Sequence, residues 1–164
     1  MAVDPLIPHL TPGMYYDEPC VGRNDLVNHL AAYEIHVRQA SDIVPGAEGI
    51  KKCDAFDIRH CWGECFITNP PWRRDILHPL IIHLSDIAPT WLLFDADWVH
   101  TKQSAAFMGR LRKFVTIGRV RWVPDSINTS MDNCAWHLFD APSQVDTTFH
   151  GWSCAPVAVG AGHG

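Results

Sequence analysis

Apolar positions along the chain alternate between short continuous runs and helical stripes. Residues 14–17 read as a short strand ending in a Gly-containing turn. Leu26, Leu30, Ala31 and Tyr33 then recur at helical spacing. Residues 35–40 form a second strand stopped by Asp42 and Pro45, and residues 49–53 a short third one. The apolar run 65–68 ends abruptly at Asn69-Pro70-Pro71-Trp72. Ile76, Leu77, Leu80, Ile81 and Leu84 make a strong helical stripe, with Pro79 near its first turns. Residues 91–94 are a buried strand, and residues 104–114 carry the spacing of an amphipathic helix. Residues 115–123 and 133–139 read as two late strands separated by a polar loop. Residues 1–13, with three prolines, are an irregular lead-in, and the Gly-rich residues 155–164 a flexible tail.

Strands alternating with helices predict an α/β fold with a mostly parallel, doubly wound sheet covered on both sides. No helical segment separates the last two strands, which predicts an antiparallel pair at the sheet edge. The 164 residues fit one domain, 1–164, with a real core.

Composition narrows the class. A chain that is 47% hydrophobic and 19% charged is that of an ordinary globular protein. No apolar run approaches the roughly 20 residues of a membrane span, and the first residues lack a secretory pattern. The expectation is a cytoplasmic protein with no membrane partner. A net charge of −5 argues against non-specific coating of nucleic acid. Arg110, Arg112, Lys113, Arg119 and Arg121 nevertheless cluster, with Arg73 and Arg74 elsewhere. Such a cluster tracks phosphates or is simply a solvated helix face. The six cysteines show no disulfide framework. His60, Cys61, Cys65 and Cys53 do not have the usual paired spacing of a zinc site, so no metal is expected.

The chemistry concentrates at two loops. Two consecutive prolines continue neither a sheet nor a helix interior, so residues 69–72 form a rigid turn past a buried strand. Asn69 offers a side-chain oxygen and Pro70 a carbonyl, both acceptors for a flat amino-bearing group. Trp72 offers a face for stacking. The bland alternative is a Pro-Pro loop with a core Trp. The second loop, Glu18-Pro19-Cys20-Val21-Gly22-Arg23-Asn24, follows the first strand, at the carboxyl edge where parallel sheets bind ligands. Gly22 allows close backbone approach, and Asn24 tolerates a left-handed conformation. Asp42 ends the second strand, where a carboxylate accepts ribose hydroxyls or merely closes a turn.

Asn69-Pro70-Pro71-Trp72 resembles the Asn/Asp-Pro-Pro-aromatic motif of amino-methyltransferases that use S-adenosylmethionine. Glu18-Pro19-Cys20-Val21-Gly22 is similar to the acidic-Pro-x-x-Gly signature of the DNA adenine (N6) methyltransferases, with Asn24 where that family usually has a second Gly. Asp97-Trp98-Val99-His100, Gly118-Arg119-Val120-Arg121-Trp122 and Asp132-Asn133-Cys134-Ala135-Trp136 resemble the compact phage-type and bacterial form of the family. The similarity spans roughly residues 11–150. It implies a Rossmann-like class I methyltransferase fold, S-adenosylmethionine as cofactor, and a bacterial or phage-infected host cell as setting.

The resemblance also implies roles. Glu18 lies near the methionine amino group, and Gly22 faces the cofactor. Asp54 lies near the amino group of the cofactor adenine, with Asp57 a weaker competitor. Pro19, Cys20, Ile43 and Ala55 join the cofactor contacts, as does Asn69. Asn69 and the Pro70 carbonyl, within the rigid Pro70-Pro71 frame, accept the hydrogens of the target amine, and Trp72 stacks on the base. This favours a tetrahedral, more basic nitrogen. Asn is no carboxylate base, so the proton goes to water. A duplex adenine has to be flipped out to reach the turn. Arg73, Arg74, Arg119 and Arg121 are the expected phosphate contacts. Asp97 and Trp98 either line the base pocket or are a loop acid and a packed Trp. Only residues 95–132 are available for sequence recognition, so specificity is relaxed or comes from a homo-oligomer or a separate recognition subunit. The motif also serves methyltransferases of RNA adenine and of protein glutamine amides. A non-catalytic cofactor- or DNA-binding module of the same fold is the reading from a different class.

Overall fold

The computed structural model describes residues 2–119 and 133–151. An eight-stranded sheet runs in the order β3-β2-β1-β4-β5-β7-β6-β8. Its strands are β1 (Tyr15–Glu18), β2 (His36–Asp42), β3 (Lys51–Lys52), β4 (Cys65–Thr68), β5 (Thr90–Asp95), β6 (Leu111–Arg119), β7 (Asn133–Phe139) and β8 (Thr148–His150). β1 to β5 are parallel, β7 is antiparallel to both β5 and β6, and β8 is parallel to β6. The fold is therefore α/β with a mostly parallel sheet. Among the described residues, no helix is long and apolar enough to cross a membrane.

Burial on two faces explains why the central strands read as unbroken apolar runs. On β5, Trp91 and Leu93 point to one face, and Leu92 and Phe94 to the other. The first face is covered by helix α1 (Asp25–Ala31), through Leu26 and Leu30, and by the lead-in, through Val3 and Leu6. The lead-in is thus part of the core, pinned where the Trp136 indole N–H donates to the Ala2 carbonyl at 2.8 Å. It carries a short 3-10 helix at Ile7–His9. The second face is covered by helix α2 (Arg74–Ser85), through Leu77, Leu80, Ile81 and Leu84. Pro79 leaves the Asp75 carbonyl without its helical donor; the Asp75 side chain is exposed, so water is at hand there.

Two expectations need correction. Residues 104–114 are not one helix: a 3-10 helix covers Lys102–Phe107, and β6 begins at Leu111. The ladder to β7 slips between Leu111 and Lys113. This bulge turns a two-residue spacing into three, so buried Leu111 and Phe114 imitate helical periodicity. The late antiparallel pair is also not the edge of the sheet, because β8 pairs outside β6. Its three residues are too few and too exposed to show an alternating pattern. Residues 120–123 of the expected strand, and the tail 155–164, lie outside the described residues.

Candidate functional site

The strand order reverses between β1 and β4. From β1 the chain passes through α1 to β2 on one side, and from β4 through α2 to β5 on the other. Parallel sheets open a crevice at the carboxyl ends of such neighbouring strands. A cavity of about 300 Å³ lies there, lined by Pro19, Cys20, Asp42, Ile43, Asp54, Ala55, Phe56, Pro71, Ile76 and Leu80. Six of these are the cofactor contacts expected from sequence, and Pro71 belongs to the 69–72 turn. Phe56, Ile76 and Leu80 add an apolar wall that the sequence reading did not assign. The Phe56 ring is 36% exposed, an open aromatic face beside Asp54 and Ala55. Its sequence signal was only its place next to them.

The loops around the cavity are tied to one another. Gly22 has φ +54° and Asn24 φ +69°, both left-handed. The Gly22 amide donates to Asp42 Oδ2 at 2.9 Å, and the Val44 amide to Asp42 Oδ1 at 2.8 Å. The Gly46 amide donates to the Gly22 carbonyl at 3.1 Å, and the Val21 amide to the Ser41 carbonyl at 3.1 Å. A Cβ on Gly46 would lie 2.6 Å from that Gly22 oxygen, so only glycine permits the approach. Asp42 therefore serves as a turn acid in this structure. A carboxylate has about four acceptor positions, so it retains capacity for hydroxyl donors. Asp54 Oδ1 accepts the Phe56 amide at 2.9 Å and caps the 3-10 helix Ala55–Asp57. That capping places the Phe56 ring.

Glu18 ends β1 almost wholly buried, at 1% exposure. Its Oε2 has no hydrogen-bond partner, and neither has the hydroxyl of Thr68 at the end of β4. Burial pushes the Glu18 carboxyl well above the ordinary carboxylate range, and the charge of Asp42 adds to the effect. Cys20 is pushed up to about 12, first by burial and then by Glu18, so its thiol is not a nucleophile at neutral pH. Cys20, Cys53, Cys61 and Cys65 are free thiols, and burial likewise raises Cys61 to about 12. Asp42, Asp54 and the aromatic wall suit a ligand with donor groups at one end and a flat apolar face at the other; Glu18 precedes the lining residue Pro19 but does not itself line the cavity.

The 69–72 turn bounds the cavity through Pro71, while Pro70 is buried. The Trp72 indole N–H donates to Asn69 Oδ1 and to the Leu93 carbonyl, each at 3.2 Å. Trp72 packs against the apolar clusters on both faces of the sheet. Of the other expected substrate contacts, Asp97 is exposed at this edge, with its amide bonded to Asp95 Oδ1 at 2.9 Å. Trp98 is a packed residue instead: it is 2% exposed and donates to His78 Nε2 at 3.0 Å. It offers no open face to a base. Arg73 pairs with Asp75 at 2.6 Å, and Arg74 with Gln103 at 2.6 Å.

The arginine cluster is divided rather than joined. β6 is an extended strand, so its two ends lie about 25 Å apart. Arg110 and Arg112 sit at its start, away from the turn. Arg110 pairs with Asp86 at 2.7 Å, and Arg112 donates to the carbonyls of Gly109 and Ala141. Arg119 pairs in register with Asn133 at the other end, the edge that carries the turn. Its side chain and Arg121 lie outside the described residues. The chain matches no protein-family model and no curated protein sequence.

Proposed function

We propose that this chain is a Rossmann-like class I methyltransferase that uses S-adenosylmethionine to methylate the exocyclic amino group of adenine in DNA. One observation carries the reading. The cavity at the carboxyl edge joins Pro19, Cys20, Asp42, Ile43, Asp54 and Ala55 to Pro71 of the Asn-Pro-Pro-Trp turn. Residues far apart in sequence thus line one cavity, which supports the reading. The parallel order β3-β2-β1-β4-β5, followed by antiparallel β7 and then β6, is compatible with that fold.

The buried Glu18 Oε2, with no partner of its own, fits a cationic amino group. Asp42 and the Gly22 backbone would hold the ribose end, and Asp54 with Phe56 the adenine end. When bound, the cofactor supplies an electrophilic methyl group on a sulfonium. Asn69 Oδ1 and the Pro70 carbonyl accept the two hydrogens of the target amine, which holds its nitrogen lone pair toward the methyl group. No carboxylate stands at position 69, so the proton leaves to water. A base in a duplex has to leave the stack, at a cost of a few kcal/mol that contacts to the backbone offset.

The test is incubation of the protein with labelled S-adenosylmethionine and unmethylated duplex DNA, followed by digestion to nucleosides and mass spectrometry. Methyladenine is the expected product. Label in RNA adenine or in a protein amide instead would move the substrate and keep the reaction. A protein that does not bind the cofactor sinks the reading and leaves a non-catalytic module.

A further inference from the structure

Trp72 sits on the proposed turn, yet its contacts are not those of a ring held open for a base. Its indole N–H reaches two acceptors at once, Asn69 Oδ1 and the Leu93 carbonyl. Leu93 lies in the middle of β5 and is 2% exposed, so that carbonyl is a fixed point of the central sheet. The ring itself packs against the apolar clusters on both faces. Trp72 is therefore held by the core, and Asn69 is held by Trp72.

The chemistry of the pair removes an ambiguity. An amide side chain presents an oxygen or an NH2 group by turning over, whereas an indole N–H only donates. Contact with Trp72 therefore selects the orientation in which Oδ1, and not Nδ2, lies on the Trp72 side. An amide oxygen has two acceptor positions, so one remains after Trp72 has taken its share. An Asn free to turn over would present NH2 to an amine for part of the time. Donor would then face donor, and the acceptor that holds the substrate nitrogen would be lost.

On the methyltransferase reading above, we propose that Trp72 is a positioning residue, whose N–H sets the Asn69 amide so that the remaining lone pair of Oδ1 meets the target amine. The β5 carbonyl at Leu93 anchors this latch.

The test separates the N–H from the ring. Trp72→Phe keeps an aromatic face and loses the donor. Site-specific benzothienylalanine at position 72 keeps the Trp shape and replaces only the N–H, which covers the case in which the Phe variant packs poorly. With an adenine-containing oligonucleotide, both are expected to lower kcat by about 10- to 100-fold, the scale of a misplaced reacting group. KM for the oligonucleotide and cofactor affinity should stay within about twofold, since neither is set by the latch. A raised KM with unchanged kcat would make Trp72 a stacking residue and overturn the proposal. Wild-type kcat in both variants would overturn it as well.

A readout without turnover keeps the two readings apart. In a 15N-labelled protein, the Trp72 indole N–H should exchange slowly and shift in Asn69→Ala. Fast exchange with no shift removes the latch whatever the activity. A protected, shifted N–H in a wild-type protein that methylates no amine would keep the contact but sink the methyltransferase reading, and with it the catalytic purpose of the latch.

Discussion

On the proposed function, Glu18 carries both a cost and a role in binding. Its side chain is buried at the end of β1 with Oε2 unpartnered, and burial raises its pKa well above the usual 4.5. A group raised in the folded state favours folding below its unfolded pKa, and that contribution is lost as pH climbs through the raised value. Burial thus disfavours the charged carboxyl in the free protein. A cationic group docking beside it favours the carboxylate, so binding releases a proton. Cofactor affinity is expected to fall by up to about tenfold per pH unit below the raised pKa and to level off above it. Glu18→Gln should weaken binding and abolish this dependence. Calorimetric titration in two buffers of different ionisation enthalpy measures the proton directly; equal heats would show that Glu18 is not coupled to the ligand. Its place at the end of the first strand was legible in the sequence. Its orphaned oxygen was not, because burial is a property of what folds around it.

At the scale of elements, the loops after β1 and β2 act as one unit. The Gly22 amide is bonded to Asp42, the Gly22 carbonyl to the Gly46 amide, and the Val21 amide to the Ser41 carbonyl. Gly46→Ala puts a methyl group 2.6 Å from the Gly22 oxygen, and the two loops have to part. On the proposed function, affinity for S-adenosylmethionine should fall about 10-fold or more, while stability changes by about 1 kcal/mol, the typical scale of a point substitution. Binding and urea titrations of the same sample decide it; unchanged affinity would mean that the loop pair does not shape the site. Sequence pattern located both loops, since turn residues punctuate the strands. It did not reveal the bonds between them, which join residues 20 or more apart. Failure in 104–114 has a similar origin, because a bulge is defined only by the partner strand.

Two properties belong to the whole molecule. His137 on β7 is 0% exposed, and its ring stacks on Phe94 at 3.8 Å between centroids, with Trp98 and Phe114 around it. Both ring nitrogens lack hydrogen-bond partners. Burial pushes its pKa down from 6.5 to about 3. The unfolded chain takes up a proton below pH 6.5 while the folded one does not, so stability falls as pH drops from about 6.5 to about 3. The loss is on the order of 5 kcal/mol, a large share of a domain's stability. His137→Phe should flatten that limb in urea denaturation at acid pH; an unaltered limb would assign acid sensitivity to other groups. The second property is charge placement. Removing Arg119 and Arg121 is expected to weaken oligonucleotide binding and to flatten its salt slope by about one unit per contact. Removing Arg112 should leave the slope unchanged, because it lies at the opposite edge of the sheet. An effect of removing Arg112 equal to that of removing Arg119 and Arg121 would move the proposed nucleic-acid face.

The sequence by itself determined which segments become strands and helices where burial is two-sided or helical, as at Cys65–Thr68 and Asn133–Phe139. It also determined the local chemistry of the two loops, because prolines, a glycine and an acid act within a few residues of themselves. Tertiary structure alone decided what those residues meet: a cavity joining Pro19 to Pro71, an arginine run split between two edges, a Trp98 sealed in the core, and a Trp72 whose N–H is turned on Asn69. The physical reason is range. Backbone preference and capping act over a few positions, whereas burial, cavity shape and a hydrogen bond to a central strand depend on segments that only the folded sheet brings together.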